Sequence, residues 1–566
     1  MANEYDVVVI GAGVAGALIA WKLAEAKCNV LILDAGERRF EKTDRAAFVK
    51  LFAEATNKNK TPSQPYVDAD NSKFAHSPDT ADFALADPAN KLYYRQIGPD
   101  LFKSQYQRLV GGSTWAWRGN SPRYIPSDFK LKTLYPKLDN AVDWPISYDD
   151  LEPWYCDAED ALGVAGDHQE WNGIFGAYRS RKFPMPKIAQ AYGDRQLKKR
   201  LNGLKIEGYE VKLFGLPQAR NSQKYDGRPA CEGNSNCIPL CPIQAKYDAT
   251  VHVKKALKLG VTLIERAVVT DLKLDAAGNI SEVIYKTWPD GQMTSAKGKI
   301  VVLATHGIET PKILLNANGG NGIANFSDQV GRNLMDHPGG EGAAIMPFQV
   351  FPFRGPQSTS CIESFRNHKF RGQFCAFRLT IGNDGWGRGK HPFDTLKDLT
   401  DRKLFGEELQ KELNHIVTRQ LRIAYSTEQL PDPNNRVTLA DETDDFGIRK
   451  PKIAYKVDDY TRKGMEYIQK IIKAMFTEIG TQQGEWEFSD LKAGFYSGSA
   501  HIMGTTRMGS DPKTSVVDAE CRSHDHKNLY IAGSSVFSTG SCTNPTTTLA
   551  ALALCSAASI QRQLKS

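Results

Sequence analysis

The sequence predicts an α/β protein in two parts, one of them assembled from distant segments of the chain, and three observations carry that expectation. The chain has 566 residues, too many for one compact core. Its start alternates apolar run, glycine turn, helical pattern and second apolar run, which is the pattern of a βαβ unit. Its end repeats strand, loop and helix. The two ends read as halves of one layer, with the remaining material inserted between them.

Val7 to Ile10 reads as the first strand, Val14 to Ala26 as an Ala/Leu/Lys helix, and Val30 to Leu33 as a second strand ending at Asp34. Residues 41–100 are polar and predict long surface structure. Residues 123–224, rich in aromatics and proline without clear periodicity, predict an irregular insertion. Strand patterns return at Val261 to Ile264, Val268 to Leu274, Ser281 to Lys286 and Gly298 to Leu303. Residues 340–490 mix strands with a helix from Thr461 to Ile479, where Met465, Ile468, Ile472 and Met475 recur at helical spacing. Asn528 to Gly533 reads as a strand, and about Pro545 to Gln563 as an Ala/Leu-rich helix.

Composition narrows the function classes. With 41% hydrophobic and 24% charged residues the chain is ordinary for a globular protein, and its net charge of +7 is spread without blocks of like charge. Nucleic acid is therefore a poor partner. No uncharged apolar stretch reaches 18 residues, which argues against a membrane span. Met1 to Asp6 carries no basic segment and no cleavable apolar stretch, so no export signal is expected in the chain itself.

Four motifs carry chemistry. In Gly11-Ala-Gly13-Val-Ala-Gly16, Gly11 permits a tight turn, Gly13 lets backbone approach a pyrophosphate, and Gly16 lets helix pack on strand. Asp34 stands where a ribose-binding carboxylate belongs. The motif leaves FAD and NAD equally open. The second, Arg108-Leu-Val-Gly111-Gly112-Ser113-Thr-Trp115-Ala-Trp117, suits backbone passing close to a flat ring, though core tryptophans beside a Gly-Gly turn explain it as well. The third, Gly331 to Pro338, is dense in Asn, Asp and His and reads equally as a structural polar network. The fourth sets His501 before a Gly/Thr loop, with Asn544-Pro545-Thr546 opening the last helix some forty residues later. A helix N-terminus there offers free N–H groups and the positive end of a dipole.

These motifs, with Ala304 to Leu315, occur in an order that resembles the glucose-methanol-choline (GMC) oxidoreductases over residues 5–566. Within that family the chain is similar to the catalytic subunits of bacterial FAD-dependent sugar dehydrogenases of the glucose, fructose and glucoside-3 types. The resemblance implies the GMC fold: a Rossmann-like FAD-binding domain of discontinuous segments (1–122, 225–345 and 490–566) and a substrate-binding domain with an antiparallel β-sheet (123–224 and 346–489). It places His501 as catalytic base and Asn544 as its partner. Cofactor contacts fall on Gly11, Gly13, Gly16, Asp34, Arg108, Gly111, Gly112, Ser113, Val268 (or Val269), Gly533, Asn544, Pro545 and Thr546. The implied reaction moves a carbinol hydride to flavin N5 while His501, neutral, takes the hydroxyl proton. Ala116 stands where some relatives carry a FAD-linking histidine, so non-covalent FAD is expected.

Of ten cysteines, three crowd into residues 231–241: Cys231, Cys237 and Cys241, the last followed by Pro242. An iron–sulfur centre, zinc and structural thiols all remain open by spacing, with His252 the nearest later zinc ligand. The resemblance implies a 3Fe–4S cluster in the loop 231–242, with Glu232 where relatives often place a further cysteine.

The expected function is therefore an FAD-dependent dehydrogenase oxidising a sugar or glycoside hydroxyl, C1 of glucose or C3 of glucosides, with electrons leaving through the cluster. A small accessory subunit and a cytochrome c or quinone acceptor are the implied partners, and a periplasmic site reached through that subunit the implied location. Two alternatives stand beside it: an oxygen-dependent pyranose-type oxidase, and a flavin electron-transfer subunit without substrate chemistry of its own.

Overall fold

The computed structural model describes residues 4–38, 45–46, 93, 95–233, 237–238, 240–385, 392–482, 484–492 and 494–566. Most of the polar stretch 41–100 lies outside the described residues.

Strand β1 (Glu4–Ile10), helix α1 (Val14–Glu25) and strand β2 (Val30–Leu33) form the expected unit. The strands are apolar because both faces are covered; Val7, Val8, Val9 and Ile32 have no exposed surface. Two glycines make the turn possible. A Cβ on Gly16 would lie 1.9 Å from the Gly11 carbonyl oxygen, and Gly11, at φ +99°, packs on the Ala304 backbone.

Further along come helices α2 (Tyr148–Leu162) and α3 (Tyr192–Leu201), strand β3 (Leu213–Gly215), helix α4 (Thr250–Lys258) and strands β4 (Thr262–Ile264), β5 (Ala267–Leu274), β6 (Ile280–Thr287) and β7 (Met293–Leu303). Helix α5 spans His306–Asn316 and strand β8 Gly339–Ile345. Strands β9 (Ser360–Ile362), β10 (Phe377–Gly382) and β11 (Gln420–Thr427), helix α6 (Asp459–Ile479), strands β12 (Trp486–Phe488) and β13 (Leu529–Ile531), and helix α7 (Thr546–Lys565) complete the frame.

Two sheets organise the molecule. In the first, β4, β2, β1, β7 and β13 pair in parallel in that order, with β6 and β5 continuing antiparallel from β7. The C-terminal strand β13 thus sits beside β7, and α1 packs against both α4 and α7. Both ends of the chain belong to one doubly covered layer. In the second sheet, β12, β8, β11, β10, β9 and β3 are all antiparallel.

Alternation along the second sheet separates core from cavity. Leu421, Ile423 and Tyr425 of β11, with Leu379 and Ile381 of β10, bury into a core shared with Met465, Ile468, Ile472 and Met475 of α6. The intervening Arg422, Ala424 and Ser426, with Thr380, face a cavity between the sheets.

The segment 123–224 is more regular than its sequence suggested. Ser147 and Asp150 exchange hydrogen bonds as a capping box (Asp150 N to Ser147 Oγ 3.2 Å, Ser147 N to Asp150 Oδ2 2.8 Å), and Gly163, at φ +68°, ends α2. Both signals stand in the sequence as Ser147-Tyr-Asp-Asp150 and Gly163. The helix was hidden by its mean hydropathy, because its buried face includes Glu152 and Glu159, neutralised by Arg123.

Candidate active site

One cavity of about 780 Å³ runs from the glycine turn to the second sheet. At one end Gly11, Gly13 and Asp34 line it, followed by Arg108, Gly112, Ser113 and Val268. At the other stand His501, Gly533, Asn544, Pro545 and Thr546. Gly16 and Gly111 do not line the cavity; they shape its wall. The Gly111 N–H donates to the Ala12 carbonyl at 3.0 Å, and Gly111 takes φ +104° against Trp115 and Thr250.

The turn end fits a dinucleotide on its own geometry. A Cβ on Gly13 would meet nothing within 4 Å, so backbone there opens onto free space. The α1 N-terminus has no side-chain cap and no acidic residue in its first turn, leaving its N–H groups for an anion. Asp34 accepts from Ala12 N at 2.7 Å and Gly36 N at 2.8 Å. Burial nonetheless pushes its carboxyl up to about 6, against those two hydrogen bonds. Arg108 is not a free cation toward the cavity: its guanidinium meets Glu309 Oε1 at 2.7 Å, an oxygen that also accepts from the Tyr93 and Tyr106 hydroxyls. Burial opposes the ionised Glu309, but Arg108 and Lys312 hold its carboxyl well below the usual range.

At the far end, His501 Nε2 lies 3.0 Å from Asn544 Nδ2. His501 Nδ1 lies 2.8 Å from His337 Nδ1, and His337 Nε2 lies 2.9 Å from the Gly540 carbonyl oxygen. Arg378 Nη1 donates to Asn544 Oδ1 at 2.6 Å and to Thr543 Oγ1 at 3.0 Å. Burial first, then the neighbouring His337 and Arg378, hold the His501 imidazole well below its ordinary value. All three act against the imidazolium and favour the neutral ring. The helix that Asn544 precedes, α7, also lacks a side-chain cap and an acidic first turn. The pair can accept a proton and orient a hydroxyl, while the glycine end can seat a dinucleotide along the same cavity.

Sequence reasoning assigned no role to Asp336 or His337, although both stand in the Gly331 to Pro338 motif. Asp336 fixes the loop geometry: Oδ1 accepts from His337 N (2.7 Å) and His501 N (2.9 Å), and Oδ2 from Ser499 N (3.0 Å) and the Ser104 hydroxyl. Arg378 was missed altogether. Its only signal is an arginine on a strand whose other residues suit a core.

Cys231, Cys237 and Cys241 are unbridged, Cys231 half-buried and the others buried. Burial pushes the Cys231 thiol up, while Arg220 pulls it down. The donor set is soft and the surroundings cationic, which suits a thiolate-bound centre. Among the described residues, however, no three His, Cys, Asp or Glu side chains approach as a metal-binding group. His252 points elsewhere, its Nδ1 2.9 Å from the Tyr247 hydroxyl and its ring 4.6 Å from Trp21. The loop adjoins the cavity: Ile238 lines it. Lys246, just beyond Cys241, donates to the carbonyls of Trp115 at 2.7 Å and Trp117 at 2.6 Å.

Residues 431–553 match the family described as GMC oxidoreductase, and residues 6–96 that described as FAD dependent oxidoreductase. The chain is 37% identical to the fructose dehydrogenase large subunit of Gluconobacter japonicus, over all of both chains. It is 27% identical to paromamine 6'-oxidase of Streptomyces fradiae, covering 99% of this chain and 92% of that one. Pyridoxine 4-oxidase from Mesorbium loti shares the fold with a TM-score of 0.62, at 18% identity over 99% of each chain. The chain belongs to the GMC oxidoreductases. It is an FAD-dependent, sugar-type oxidoreductase acting on CH–OH donors. Among the described residues no helix is long and apolar enough to cross a membrane.

Proposed function

We propose that the protein is a sugar or glycoside dehydrogenase that oxidises C1 of glucose or C3 of a glucoside and passes electrons to an acceptor other than oxygen. The observation that carries this reading is His501 facing Asn544 at 3.0 Å, in the cavity that also holds the glycine turn. His501 Nε2 takes the substrate hydroxyl proton, and the Asn544 amide donates to the substrate oxygen without titrating. FAD, bound without a covalent link at Gly11, Gly13, Asp34, Gly112, Ser113 and Val268, supplies the hydride acceptor. Ala116 offers no side chain for such a link.

Cys231, Cys237 and Cys241 would hold a 3Fe–4S cluster, whose one-electron chemistry suits an external cytochrome c or quinone. The cysteine loop borders the cavity through Ile238, which supports this. The similarity to the large subunit of fructose dehydrogenase supports a small partner subunit, which would also carry the enzyme to the periplasm. The similarity to a named oxidase favours a second reading, direct use of oxygen.

Two measurements decide. Purified enzyme is expected to show a flavin spectrum and, after oxidation, the paramagnetic signal of a three-iron cluster that Cys237→Ser removes. A flavin without iron, with oxygen consumed during turnover, overturns the dehydrogenase reading. His501→Ala is expected to lose at least about 10²-fold in sugar oxidation with FAD retained; unchanged turnover sinks the base assignment.

A further inference from the structure

We propose that His337 and Arg378, neither of which lines the cavity, are positioning residues that lock the hydrogen-bond polarity of the active pair, so that His501 presents an unprotonated Nε2 to substrate. The inference rests on His501 being the base.

The chain of contacts runs from the Gly540 carbonyl through His337, His501 and Asn544 to Arg378, and each of its ends can play only one role. A carbonyl only accepts. His337 Nε2, 2.9 Å from the Gly540 oxygen, therefore carries a proton. A neutral imidazole has one N–H, so His337 Nδ1 carries a lone pair. His501 Nδ1, 2.8 Å away, must then be the donor, which leaves His501 Nε2 as the acceptor.

From the opposite end, a guanidinium only donates. Arg378 Nη1, 2.6 Å from the Asn544 side chain, fixes that atom as the amide oxygen. The amide nitrogen then faces His501 Nε2 at 3.0 Å and donates to it. The two deductions start from groups that share no contact, and they assign Nε2 the same role. Reversing the polarity would set acceptor against acceptor at Gly540 and donor against donor at Arg378.

The surroundings favour neutral rings. Burial dominates the lowering of both imidazoles. The charged groups that face them are already committed: Asp336 to the backbone N–H groups of His337, Ser499 and His501 and to Ser104, and Arg378 to Glu363 at 3.1 Å. Glu428 is held by Arg371 and Tyr460.

The consequence is a base that needs no tautomer change before it works. An arriving hydroxyl displaces the Asn544 contact, accepting from the amide and donating to Nε2. As the substrate O–H bond breaks, an Nε2–H bond forms; the carbinol C–H would give its hydride to the FAD of the proposed function, leaving a carbonyl. The resulting imidazolium donates through Nδ1–H to His337, whose lone pair already faces it.

Nitrogen-15 histidine NMR of the FAD-loaded enzyme, assigned by difference from His501→Asn, tests the polarity without turnover. The expected resting state has His501 protonated at Nδ1 only, and His337→Phe, which leaves only the Asn544 end of the lock, is expected to weaken that preference, read as a growing Nε2-protonated fraction. Protonation at Nε2 in the wild type, or no change of that fraction in His337→Phe, overturns the proposal. Turnover of D-glucose, D-fructose and methyl α-D-glucopyranoside with ferricyanide supplies the second readout. His337→Phe is expected to lose about 10²-fold in kcat/KM with its flavin absorbance intact. His337→Asn, whose side-chain oxygen can accept from His501, is expected to recover most of it. Equal losses in the two variants refute the lock. If no sugar turns over, the proposed function fails, and the spectrum still decides the polarity.

Discussion

At the glycine-turn end of the cavity the determinants are backbone: the Gly11 and Gly16 contacts, the open space at Gly13, and two N–H groups on Asp34. At the His501 end they are side chains resting on buried charge. Arg378 meets Glu363 at 3.1 Å, Glu363 meets Arg366 at 3.2 Å, Arg366 meets Asp128 at 3.1 Å, and Arg371 joins Asp128 to Glu428. None of these six side chains is more than 1% exposed. A dinucleotide needs room and N–H donors, which backbone supplies cheaply. A base and its partner need fixed polarity, which requires side chains held on both sides. The difference predicts different responses to substitution at the two ends.

The largest expected effect is at the charged end. Arg378→Met removes one partner of a buried ion pair, leaving Glu363 with one fewer cation beside Arg366 and Asn544 Oδ1 without its Arg378 donor. Stability should fall by about 3–5 kcal/mol, read from denaturant unfolding or from the temperature of flavin release. A cost near zero would mean that the ladder reorganises, and that the ends of the cavity differ less than their contacts suggest.

The second effect belongs to Asp34, a titratable group at the glycine-turn end on which both backbone hydrogen bonds and burial act. Its carboxyl titrates at about 6 when folded, against about 3.9 unfolded. Between those values the folded state holds a proton that the unfolded state has released, so stability falls as pH rises through pH 4 to 6. Two units correspond to roughly 3 kcal/mol. Asp34→Asn in the apoprotein should lose that slope, whatever it does to the absolute stability. An unchanged slope would show that the carboxylate is solvated in the folded state.

The same contrast explains what the sequence could and could not tell. Glycine spacing writes backbone geometry directly into the chain, so the βαβ unit, the turn and Asp34 were legible, as was the return of the C-terminus as β13 and α7. His501 and Asn544 were legible only through the order of motifs. Their supports come from Asp336 and His337 before β8, Arg378 in β10 and Gly540 before α7, which no local pattern joins. Arg378 sits on β10 between Phe377 and Leu379, where alternation alone marks it as facing the other way. Helix α2 was obscured for a related reason: its buried acids are paired with Arg123 across 29 and 36 residues, and hydropathy counts them as solvent-facing.

The smallest effect separates fold from binding at a single atom. Gly13 sits at φ −70° and ψ −172°, a conformation open to alanine, and a Cβ there meets no protein atom within 4 Å. Gly13→Ala should therefore stabilise the apoprotein by about 0.4–1 kcal/mol, because the unfolded chain loses freedom while the folded chain gains no clash. The same methyl group projects into the space the dinucleotide needs, so FAD affinity should drop about tenfold, near 1.4 kcal/mol. Thermal unfolding of the apoprotein and FAD titration measure the two separately. Opposite signs are what a backbone cradle requires. If stability and affinity fall together, Gly13 is a packing residue like Gly16, and the free space beside it is not where the cofactor passes.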